Sequence, residues 1–173
     1  MTGIRVRSRA IGFGVGAALM ALAALGPATG SGAAGTPRCT SSQLKLREVL
    51  FQGATGKRIW DFAFQNTGSK CTLRGYPGAG LLDNHGHLLA TAKRVPATVK
   101  TITIAHNKRA FFRFVYTDGG FCPGSNYKAY RFQFIAPNLT HKFIFNPTAL
   151  NRGVVSVCKR SEQIKPVTAT AGG

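Results

Sequence analysis

Few side chains in this sequence are able to do chemistry. Only five carboxylates occur in 173 residues: Glu48, Asp61, Asp83, Asp118 and Glu162. None neighbours another, so the carboxylate pair of a glycoside hydrolase would have to be assembled by folding. There is no Gly-x-Ser-x-Gly elbow, and the glycines sit at turns rather than in a phosphate-cradling loop. The one cluster with metal-ligand character is His85-Gly86-His87, with Asp83 two residues upstream. Imidazoles at this spacing can share a copper, nickel or zinc ion if a turn folds them inward. The same residues also make a polar hairpin tip, which is the plainer reading. No cofactor is expected, and the chain is expected not to be an enzyme. The alternative is a secreted hydrolase or metal-dependent enzyme built around Asp83, His85 and His87.

Charge is the outlying property. Lys and Arg total 23 against 5 acids, a formal net charge of +18. Such an excess favours anionic partners: an envelope polymer, an anionic lipid surface or an acidic protein. The basic residues are dispersed, so a merely solubilising surface is the competing reading. Lys108-Arg109 stands beside Phe111 and Arg113, and Tyr130-Arg131 repeats the interleaving of basic and aromatic residues that single-strand binders use. Strand alternation turns the aromatics inward, leaving Arg113, Arg131 and Lys142 to line one exposed sheet surface. Lys108, Arg109, Arg113, Arg131 and Lys142 are therefore the candidate contact residues.

The N-terminus points to the compartment. Arg5, Arg7 and Arg9 precede an apolar run from Ala10 to Leu25 and a small-residue tract, the order of a secretory signal peptide over residues 1–33. Residues 34–38 then form a short linker, 39–167 a single domain and 168–173 a disordered tail. No transmembrane segment remains after processing, and the protein is expected to be secreted, extracellular or associated with the cell envelope. Export makes nucleic acid a poor natural partner. Four cysteines, Cys39, Cys71, Cys122 and Cys158, remain without a Cys-x-x-Cys spacing, so two disulfides are expected. Three pairings are possible. Cys39 with Cys71 and Cys122 with Cys158 are favoured because each closes a moderate loop.

Positioning falls to strands. Trp60, Phe62 and Phe64 alternate with Asp61, Ala63 and Gln65, which reads as a half-buried strand with its aromatics inward. Asn66-Thr67-Gly68-Ser69 supplies a turn, Lys70 to Leu73 resumes as a paired strand, Gly75-Tyr76-Pro77-Gly78 bends the chain, and Asp83 to Gly86 makes a second tight turn. That order predicts a β-meander. Near Leu44, a strand competes with a short helix capped by Ser41 or Ser42. Ile102 and Ile104, then Phe112, Phe114 and Tyr116, give further inward faces, and strands follow at Tyr130–Ile135, Lys142–Phe145 and Val154–Cys158. Turns recur about every ten residues with no long helical stripe, which argues for an all-β, immunoglobulin-like antiparallel β-sandwich.

The run F-x-N-T-G-S-x-C-T-L-x-G-Y-P-G-x-x-L-L-D-x-x-G resembles the signature of the secreted actinobacterial family called domain of unknown function 4232. The resemblance is strongest between Asn66 and Asp83. It implies an exported or lipid-anchored β-sandwich, and no Leu-x-x-Cys pattern precedes Cys39, which favours export without a lipid. The family usually carries a Pro-Gly turn where this chain has His106-Asn107-Lys108-Arg109, a basic cluster in place of a neutral turn. The family implies no activity.

Overall fold

Alternation of large apolar and polar residues carries most of the chain into strands. The structure, a computed structural model, describes residues 35–171; the expected leader therefore lies outside the described residues. The described residues all fall in one compact unit. In chain order the strands are β1 (Leu44–Ala54), β2 (Lys57–Asn66), β3 (Cys71–Arg74), β4 (Gly78–Leu82), β5 (Leu88–Thr91), β6 (Lys93–Arg94) and β7 (Thr101–Ile104). They continue with β8 (Arg109–Thr117), β9 (Asn126–Ala129), β10 (Arg131–Ile135), β11 (Lys142–Phe145), β12 (Val155–Cys158) and β13 (Gln163–Ile164). The only helical pieces among the described residues are three short 3₁₀ turns. One of them, Ser41–Gln43, leads straight into β1, so the helix and strand readings of this region both hold, in series. Its cap is Thr40 rather than Ser41 or Ser42, with the Thr40 N–H donating to Gln43 Oε1 at 2.9 Å.

A five-stranded sheet has the order β1-β2-β8-β13-β6 and a four-stranded sheet the order β11-β10-β4-β5; β12-β9 and β3-β7 form two separate ribbons. Every strand pair is antiparallel except β13 with β6. The all-β expectation, with antiparallel sheets and two disulfides, holds. The bridges are Cys39–Cys71 and Cys122–Cys158, as the loop lengths favoured.

The two larger sheets meet through aromatic rings. Phe62 of β2 lies 4.6 Å from Phe134 of β10, Phe114 of β8 lies 5.4 Å from Phe132, and Trp60 lies 5.1 Å from Phe145 of β11. Burying each such ring contributes on the order of 2 kcal/mol. The inward faces of β2, β7 and β8 are those read from the alternation.

Three expectations need correction. The meander fails after β2: the strand that begins at Cys71 pairs with β7, not with β2. Both edges of β2 are already taken, by β1 and by β8, so β3 has no edge to join. The outer face of β2 is also buried. Asp61 is 3 % exposed and Ala63 0 %, because β2 is central and longer side chains stand beside these residues in register: Arg113 next to Asp61, Arg47 and Phe111 next to Ala63. Lastly, the terminal segments are tied in. Arg38, expected in a linker, bridges Thr72 in parallel, and Thr168, expected in a disordered tail, exchanges backbone hydrogen bonds with Phe111 at 2.8 and 2.9 Å. In each case a free strand edge was available to capture the passing chain.

Candidate functional site

The most distinctive motif of the sequence turns out to hold the fold together. Asn66, at the end of β2, is fully buried, and its Nδ2 donates to the carbonyls of Ser69 and Ile104 at 2.8 and 2.9 Å. Its Oδ1 accepts from the Gly68 N–H at 2.9 Å. The backbone of Asn66 pairs with the turn after β7: its N–H donates to the Lys108 carbonyl and its carbonyl accepts from Asn107. Asn107 itself holds a φ of 60°, the left-handed conformation that asparagine tolerates and that a Pro-Gly turn would otherwise supply. Tyr76 of the Gly-Tyr-Pro-Gly corner works similarly, donating to the Val95 carbonyl at 2.8 Å and accepting from the Ala97 N–H at 2.9 Å.

The His85–His87 hairpin tip is closed upon itself. Asp83 Oδ1 accepts from the N–H groups of His85 and His87 at 2.9 and 2.8 Å, and Oδ2 lies 3.1 Å from His87 Nδ1. Burial pushes the Asp83 carboxyl upward, but the hydrogen bonds and charge of His87 and the His85 N–H outweigh it and hold it below the usual range. Arg131 donates to the Asn84 carbonyl at 2.7 Å, which places a permanent cation against the tip. Among the described residues no group of three or more His, Cys, Asp or Glu is arranged to hold a metal ion.

The candidate basic residues fall on two different sheets. Arg113 lies on the outer face of β8 in the five-stranded sheet, whereas Arg131 and Lys142 lie on β10 and β11 of the four-stranded sheet. The single shared surface expected for these three is therefore not formed, because the alternation that fixes inward and outward within a strand says nothing about which sheet the strand joins. Arg113 is also not free. It grips the buried Asp61 with two hydrogen bonds of 2.7 and 2.9 Å, and that carboxylate raises the guanidinium's already high pKa against the opposing effect of burial. Lys108, Arg109 and Lys142 are exposed.

What the outer face of the five-stranded sheet does gather is Lys45, Arg47 and Arg109. Lys45 pairs with Gln65, and Gln65 with Arg109, so the two cations flank one glutamine across three strands. Arg47 Nε donates to Gln65 Oε1 at 2.9 Å. Phe111, half-buried on β8, shares this face two residues beyond Arg109. Lys45 and Arg47 were missed in sequence because β1 shows no clean period: its register shifts between Glu48 and Leu50.

The acids are almost entirely committed. Asp61 holds Arg113, Asp118 holds Arg58 at 2.8 Å, Glu48 holds Arg152 at 2.6 Å, and Asp83 holds His87. Arg152 also lies 4.6 Å above the Phe51 ring and 4.7 Å above Trp60, closing that end of the core as a cation–π lid. Trp60 Nε1 donates to Tyr116 Oη at 3.3 Å beneath it. Burial pushes the Tyr116 phenol up to about 12 against the pull of that hydrogen bond. The fifth acid, Glu162, is 2 % exposed and its Oε1 has no partner; burial raises its pKa, with Lys93 pulling the other way.

Among the described residues no helix is long and apolar enough to cross a membrane, and the two disulfides fit a domain that works outside the cytoplasm. No curated protein and no solved structure matches the chain. A family match covers residues 39–168 and reaches from the first cysteine to the segment paired with β8: the chain belongs to the family described as domain of unknown function DUF4232.

Proposed function

We propose that the protein is a secreted, non-enzymatic binding module whose basic surface contacts anionic material of the cell envelope. One observation carries this reading: four of the five carboxylates are occupied by cationic or imidazole groups of the same chain and the fifth is buried. Three of the Lys and Arg side chains among the described residues pair with a carboxylate, Arg58, Arg113 and Arg152; the rest have no carboxylate partner there. Their charge is therefore not neutralised internally and is directed at whatever anion approaches. Dispersal over both main sheets suits a long or extended anion better than a small substrate held in one deep site.

The test is retention of the purified protein on an anionic envelope polymer, on anionic vesicles and on an uncharged polymer, across a salt series. Retention on the anionic supports, released as salt rises, is expected. Equal retention on the uncharged polymer, or binding indifferent to salt, would sink the reading.

A further inference from the structure

A discrete site stands apart from the two main sheet faces, on the β3-β7 ribbon. Thr72 and Arg74 alternate onto the outer face of β3, and the register sets Thr103 opposite Thr72 and Thr101 opposite Arg74. Arg38 joins the same face from the other side, bridged in parallel to Thr72. It does not dangle there: the Thr72 N–H donates to the Pro37 carbonyl at 2.8 Å and the Cys39 N–H to the Thr72 carbonyl at 3.0 Å. The Cys39–Cys71 disulfide clamps the segment one residue further on. The opposite wall is the turn at Asn138, whose φ is 60° and whose Nδ2 donates to the Arg74 carbonyl at 3.4 Å. This lining bounds a cleft of about 540 Å³ that holds both Arg38 and Arg74.

We propose that this cleft binds a phosphate group carried on a polyol or sugar. The inference rests on the reading of the protein as a binder of anionic envelope material and names the chemical class. Neither Arg38 nor Arg74 has a carboxylate partner among the described residues, and none of the five acids lines the cleft. Two guanidinium groups lining one cleft suit a tetrahedral oxyanion with acceptors on several sides; a planar carboxylate is satisfied by one fork. The Thr101 hydroxyl adds a donor to the lining, while the Thr72 hydroxyl donates to the Pro37 carbonyl at 3.2 Å and offers only its lone pairs. No aromatic ring lines the cleft, so there is no platform on which a nucleobase would stack. A phosphodiester of glycerol or sugar type fits that lining, whereas a nucleic acid would leave its bases unsupported.

The purified, disulfide-intact protein is titrated at low ionic strength with inorganic phosphate and with glycerol phosphate, following backbone amide chemical shifts. Saturable shifts are expected at Thr72, Arg74, Thr101 and Asn138. Arg38→Gln and Arg74→Gln should each weaken the Kd about tenfold, whereas Lys128→Gln, which removes the same charge from the β12-β9 ribbon, should change it less than twofold. Equal losses in all three variants would overturn the cleft while leaving salt-dependent retention on poly(glycerol phosphate), and hence the broader reading, intact. Absence of such retention at any salt would overturn both. Tighter binding of an oligodeoxynucleotide or of polyglutamate than of poly(glycerol phosphate), at matched charge number, would overturn the assignment to a polyol or sugar phosphate.

Discussion

The side chain of Asn66 serves backbone groups from two other segments while being fully buried itself. Removing it would strand the Ile104 carbonyl away from water and leave the half-buried Gly68 N–H without its acceptor, and an unmet buried polar group is costlier than a lost exposed hydrogen bond. Asn66→Ala should therefore destabilise the fold by about 2 to 3 kcal/mol, read as a lower Tm in calorimetry; a loss below the error of the measurement would show that water replaces the amide. Tyr116 gives a second test at the same scale. Its folded phenol titrates near 12 against 10.0 for an ordinary one, so the unfolded chain releases this proton first. The stability it contributes is complete below pH 10 and is lost as pH rises through about 12. Tyr116→Phe should remove that increment from the alkaline stability curve, and an unchanged curve would place the phenol in contact with water.

At the scale of elements, the ribbons depend on their cross-links more than the sheets do. The β3-β7 ribbon has four residue pairs, too few for independent stability, and the Cys39–Cys71 bridge spans 32 residues. A loop of that length corresponds to about 3 to 4 kcal/mol of unfolded-state entropy. Replacing both cysteines by serine should lower stability by that order in denaturant unfolding, and should also loosen Arg38 from Thr72, with faster amide exchange at Cys39 and Thr72. Unchanged exchange at those two amides would show that the hydrogen bonds suffice without the bridge. The β12-β9 ribbon is tied by Cys122–Cys158 in the same manner.

Across the whole molecule, the excess of cations is sustained by a core whose largest side chains are aromatic. Ten aromatic residues of β2, β8, β10 and β11 interlock between the two main sheets, so stability does not lean on surface ion pairs. Such a protein can carry mutually repelling charge and stay folded. Salt should accordingly act in opposite senses on its two properties: raising it from 50 to 200 mM, values taken on the order of those used for polyanion binding, should weaken polyanion retention while leaving Tm unchanged or slightly raised. A fall in Tm over the same range would mean that ion pairs, rather than the aromatic core, hold the fold.

Composition and alternation in the sequence were sufficient for the all-β class, the inward faces of β2, β7 and β8, the hairpin at Asp83–Gly86 and the disulfide pairing, because period-two burial and short loop closure are local properties of a chain. Which strands share a sheet is not local. The separation of Arg113 from Arg131 and Lys142, the pairing of β3 with β7 rather than β2, and the burial of Asp61 and Ala63 all follow from which strand edges were already occupied. Lys45, Arg47, Arg38 and Arg74 look unremarkable along the chain for the same reason. Only long-range pairing sets Arg38 beside Thr72 and Arg74 beside Thr101, and only there do isolated cations come to line one cleft.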